Sequence, residues 1–88
     1  MYNKGTRYND YIVTFSSIDG YFDEFGAIRT KCPKDAVEGY FEFRGKAVSG
    51  ICRNTAENFE RYKDRMIGTA KVYSVGDQAH MIVDYIVR

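Results

Sequence analysis

Thr69-Ala70-Lys71-Val72-Tyr73-Ser74, then Gly76-Asp77-Gln78-Ala79, then Met81-Ile82-Val83-Asp84-Tyr85-Ile86 is the stretch that decides the fold. Apolar and polar side chains alternate on both sides of a glycine-bearing loop, the period of two that marks paired antiparallel strands. Closing the loop at Gly76–Ala79 sets Lys71 against Asp84, Val72 against Val83 and Tyr73 against Ile82, so opposite charges face each other. Ala70, Val72, Met81, Val83 and Tyr85 then share an inner face, while Lys71, Tyr73, Val75, Ile82, Asp84 and Ile86 point outward.

Upstream of this hairpin the pattern changes period. Asn54 is a good helix N-cap with Glu57 three residues on, Gly68 is a stop, and Ala56, Phe59, Tyr62 or Lys63, Met66 and Ile67 recur at helical spacing. A helix is expected over about 55–67. Before it, Gly39 to Arg53 reads as another hairpin with Gly45-Lys46 as a two-residue turn, pairing Phe43 with Val48 and Phe41 with Gly50. That register places Phe41, Phe43, Val48, Gly50 and Cys52 inward and Tyr40, Glu42, Arg44, Ser49, Ile51 and Arg53 outward.

Tyr11–Ser16 and Ala27–Cys32 read as two further strands. Ile18 to Gly26 between them is aromatic and acidic, a loop or helical turn whose Tyr21, Phe22 and Phe25 need a place to bury, and the outer sheet face is one such place. Pro33 to Gly39, with proline first and glycine last, predicts a single helical turn. The expected architecture is α+β: an antiparallel sheet of about five to six strands with one main helix, about 55–67, packed on one face.

Eighty-eight residues make one domain, 1–88, in which residues 1–9 read as a flexible arm. No apolar run is long enough for a membrane span, and the first residues lack a secretory signal, so the cytoplasm is the expected compartment. Cys32, Cys52 and the single His80 have no metal-ligand spacing, no phosphate-binding loop is present, and no nucleophile has a general base in a known pattern. The expectation is a protein that is not an enzyme and holds no cofactor or metal.

Eight tyrosines and no tryptophan in a chain of net charge +1 direct attention to binding, because a tyrosine ring offers rigid contact area with a polar tip. Tyr40, Arg44 and Arg53 on one outward hairpin face, with Lys71 and Tyr73 on the other, form a candidate protein-binding surface. Such a module fits an inhibitor or accessory factor of the kind carried by phages and mobile elements. Ile82 and Ile86 beside Tyr73 are the candidate contacts of a homodimer.

The alternative partner is RNA or single-stranded nucleic acid. Residues 29–71 carry ten basic and six acidic side chains, and Arg29, Lys31, Arg61, Lys63 and Arg65 are its candidate phosphate contacts. Gly39-Tyr40-Phe41-Glu42-Phe43 resembles the aromatic strand of RNA-recognition motifs, where exposed rings stack bases. The resemblance covers five residues. The order of elements around them differs from that family's, which sets membership aside and leaves only tyrosine stacking on a sheet.

Overall fold

The computed structural model describes residues 8–76 and 80–88. Two helices and a five-stranded antiparallel sheet follow in the order β1 (Asn9–Ser17), β2 (Phe22–Thr30), α1 (Pro33–Phe43), β3 (Ile51–Arg53), α2 (Ala56–Tyr62), β4 (Gly68–Ser74) and β5 (His80–Val87). Across the sheet the strands run β2-β1-β4-β5-β3. The fold is α+β, as the alternation of periods implied, but the layer against the sheet is built by a different helix from the one expected.

That helix is α1. Ala36, Val37, Tyr40 and Phe41 recur with helical spacing and are all buried, against Tyr11, Val13 and Phe15 of β1, Ala70 and Val72 of β4, and Tyr85 and Val87 of β5. Pro33 opens the helix, where a missing N–H costs nothing, and Asp35 lies in the first turn. Gly45, with φ +69°, closes it: its N–H bonds the Glu42 carbonyl and the Lys46 N–H bonds the Phe41 carbonyl, the paired bonds of a Schellman stop. The hairpin expected over Gly39–Arg53 is therefore replaced by a helix and a loop. Glycine followed by lysine suits a tight hairpin turn and a left-handed helix cap equally, and the run Tyr40-Phe41-Glu42-Phe43 alternates only if Ala36 and Val37 are ignored. Tyr40, expected outward, is 2% exposed, whereas Phe43, expected inward, is 68% exposed.

The helix expected at 55–67 is α2, and it ends sooner, at Tyr62. Its cap is Thr55, whose hydroxyl accepts from the Asn58 N–H at 3.1 Å, while Asn54 turns its amide to the Asp84 carboxylate at 3.1 Å. Gly68 is not its stop. It begins β4 where a Cβ would run into the Ser16 carbonyl and the Phe15 ring, so its bareness permits β1 and β4 to approach.

The terminal hairpin forms with Lys71 opposite Asp84 and Val72 opposite Val83, as read. A bulge then slips the register by one, and Tyr73 faces Met81 instead of Ile82. Residues beyond Gly76 in the connecting loop, and residues 1–7 of the expected arm, lie outside the described residues. Residues 22–26 belong to β2, an edge strand paired to β1, and do not cover the sheet. Cys32 sits at the N-cap of α1 and Cys52 in β3, both unpaired.

Candidate interaction surface

Each strand offers one face to α1 and the other outward. Directly opposed residues of antiparallel neighbours share a face, so the register resolves the outer face into rows. Phe22, Ser16 and Thr69 form one row across β2, β1 and β4, which Ile86 of β5 and Cys52 of β3 continue. Glu24, Thr14, Lys71 and Asp84 form the next. Ile12, Tyr73 and Met81 form the third, with the bulge at Gly26 flanking Ile12 on β2.

The two halves of this face differ. At the β5 side, α2 lies against the sheet, Asn54 bonds Asp84, and Ile86 is completely buried although it points away from α1. Over β2, β1 and β4 no described element covers the rows. An open depression of about 340 Å³ lies there between Ile12, Thr14, Phe22, Glu24 and Tyr73. Phe22 is 60% exposed on its rim, and Met81 and Ile82 are exposed at the far end of the Tyr73 row.

A second cluster lies at the C-terminal end of α1. The Tyr40 hydroxyl donates to Asp23 Oδ2 at 2.6 Å, and Arg44 donates from Nε to the same oxygen at 3.0 Å and from Nη2 to Oδ1 at 3.3 Å. The hydrogen bond from Tyr40 holds the Asp23 carboxyl below the usual carboxylate range, against an opposing effect of burial and with help from the Arg44 charge. Burial, and then the hydrogen bond to Asp23, pushes the Tyr40 hydroxyl far above the ordinary phenol range. The Arg44 guanidinium also stands 5.2 Å from the Phe25 ring centre, and Phe25 stacks on Phe43 at 4.7 Å. These side chains satisfy one another and bind β2 to α1. Beside them an open cleft of about 430 Å³ is lined by Ser17, Asp19, Tyr21 and Lys46 over Phe15 and Phe41.

The site residues read from the sequence divide between these places. Lys71 and Tyr73 lie on the outer face as expected, both half-buried. Tyr40 and Arg44 do not: one is core and the other is the C-cap of α1, paired to Asp23. Arg53 faces the α1 side, because it opposes Tyr85 at the end of the edge strand β3. Ile82 is exposed, but Ile86 is fully buried and is no surface contact.

The basic residues form no single track. Arg29 pairs with Asp10 at 3.3 Å on β2, and Lys31 is exposed in the connection to α1. Arg61 and Lys63 on α2 pair with Glu57 and Glu60, and Arg65 lies 5.2 Å from the Tyr62 ring centre. The first two stand at the β2 edge and the last three beside β5, with the sheet between them.

Sequence reasoning missed Ile12, Thr14, Phe22, Glu24, Met81 and Asp23. Asp19-Gly20, a strong hairpin signal between Phe15 and Phe22, pointed to the β1–β2 pairing that places five of them. Among the described residues no group of three or more His, Cys, Asp and Glu side chains is placed to hold a metal ion, and no helix is long and apolar enough to cross a membrane. Compared with known proteins, the chain matches no family model, no curated protein and no solved structure.

Proposed function

We propose that this chain is a non-enzymatic protein-binding module, acting as an inhibitor or accessory factor, and that its contact surface is the outer sheet face over β2, β1 and β4. The observation that carries this reading is the exposure of Phe22 beside a depression floored by Ile12 and Thr14 and walled by Tyr73. A solvated sheet face alternates to polar residues, and an aromatic rim around a half-buried aliphatic and tyrosine floor is the makeup of an interface core instead. Glu24, Lys71 and Asp84 beside it supply orientation through charge. The unpaired thiols of Cys32 and Cys52 suit a reducing compartment, and the cytoplasm is the proposed place of action.

Nucleic acid is the less favoured partner. Arg29, Arg61 and Lys63 each have an acidic neighbour, and the ring proposed for stacking, Tyr40, is in the core.

Photo-cross-linking tests the proposal. A benzophenone side chain at Phe22 is compared with one at Phe43, an exposed aromatic at the end of α1, in extract of cells expressing the chain, with and without nuclease. Protein adducts at Phe22 and few at Phe43 are expected. No protein adduct at Phe22, equal adducts at both positions, or adducts lost with nuclease overturn it.

A further inference from the structure

Resting on that reading, we infer that the occupant of the outer face is a second copy of this chain, packed sheet to sheet about a two-fold axis that runs along β1. Three rows carry this inference. On β2 they present a large ring, an acid and a bare backbone: Phe22, Glu24 and Gly26. On β4 the same rows present a small side chain, a base and a large ring: Thr69, Lys71 and Tyr73. Strand β1 lies between them, and each neighbour is about 4.8 Å to its side.

A half-turn about an axis over β1 exchanges the places of β2 and β4 and preserves the rows. Phe22 of one copy then lies over Thr69 of the other, Glu24 meets Lys71, and Tyr73 lies over Gly26 and the Ile12 side chain packed against it. Every contact occurs twice, as a two-fold interface requires. The residues on the axis, Ser16, Thr14 and Ile12, are uncharged and bring no like charges together, and Thr14 is already buried in its own sheet face. Large opposes small in the first and third rows and acid opposes base in the second, whereas the reverse order along β4 would set Phe22 against Tyr73.

The placement of α2 fits the same arrangement. Facing sheets stand about 10 Å apart. Beside the C-terminal half of β5, over Ile86, the layer is taken by α2, whereas no described element lies above β2, β1 and β4. A partner's sheet occupying that open layer ends at its own β2 edge, next to α2 of the first copy. Each α2 thus lies beside the partner's β2, which among the described residues has an unpaired edge. A three-strand patch is smaller than a standard interface of about 800 Å² per partner, so a dissociation constant in the micromolar range is expected.

Charge reversal tests the geometry. Sedimentation equilibrium of the full chain is expected to show a monomer–dimer equilibrium, weakened at least tenfold by E24K and by K71E, since each converts both Glu24–Lys71 contacts to repulsion. Mixing the two variants restores association, because every intermolecular pair in the mixed dimer again joins opposite charges, while neither variant can repair itself. Should K71E, which faces Asp84, fail to fold by circular dichroism, K71Q replaces it in the weakening test, and the mixture is made from E24K with the double variant K71E/D84N. A wild type that stays monomeric up to about 0.5 mM, unchanged association in E24K, or a mixture no tighter than its components overturns the two-fold inference. A monomer whose Phe22 cross-linker captures a foreign protein overturns only this inference. A Phe22 cross-linker that captures no protein overturns the binding proposal itself.

Discussion

Replacing Tyr40 by phenylalanine isolates one hydroxyl in an otherwise unchanged core. The ring is held by Phe15, Phe25 and Phe41, with centroids 4.8 to 6.3 Å away, so no cavity opens. What is lost is the 2.6 Å hydrogen bond to Asp23 Oδ2. A hydrogen bond to a charged acceptor contributes about 1.5–3 kcal/mol, and the low end applies because Asp23 keeps both bonds from Arg44. A loss of about 1.5 kcal/mol lowers the melting temperature of a domain this size by roughly 6–12 °C. The folded carboxyl of Asp23 titrates below its usual value, so its contribution is complete above the unfolded pKa of about 3.9 and disappears as pH falls through the lower folded value. The difference between wild type and variant should therefore be full at pH 7 and shrink toward pH 2. Urea unfolding followed by circular dichroism at both pH values measures it. A difference below about 0.5 kcal/mol at pH 7, or one that does not change with pH, refutes the assignment of Tyr40 to a part-buried bond with an ionised Asp23.

Three further substitutions check the packing. Gly45→Ala, at a φ of +69°, should cost about 1 kcal/mol in thermal unfolding, and a neutral result would mean that α1 does not end in the left-handed cap. Phe41→Ala should cost about 3–5 kcal/mol and Phe43→Ala far less, because one ring is buried and the other is exposed; equal losses in denaturant unfolding would contradict α1. Ile86→Ala should cost about 2–5 kcal/mol and Ile82→Ala little, and the reverse ranking would show that α2 does not cover the outer face at β5.

The terminal hairpin was legible because its alternation is long and its charges pair across the strands. Its last step was not: the bulge after Val72 is set by how the strands twist together, and it moves Met81 to the outer face with no local mark in the residues. The stretch from Pro33 to Arg53 misled because Gly39 looks like a helix breaker, yet it sits inside α1, where a Cβ would only touch Ile28 at 4.0 Å. A mid-helix glycine costs about 1 kcal/mol, which the burial of Ala36, Val37, Tyr40 and Phe41 outweighs. Tertiary packing, absent from a local reading, decided that element. The same holds for the outer face. Lys71 and Tyr73 were found from alternation alone, but their partners across the face, Glu24 and Gly26, became visible only once β2 was known to pair with β1.

The claim on which the account turns is that this outer face is where one copy of the protein meets another. Amide chemical shifts recorded by NMR from about 20 μM to about 1 mM test it without altering a residue. The account predicts concentration-dependent shifts centred on Ile12, Thr14, Phe22, Glu24, Lys71 and Tyr73, with the amides of α1 unmoved. Shifts that gather on α1 and the cleft of Ser17, Tyr21 and Lys46, or a spectrum that does not move at all, would contradict it.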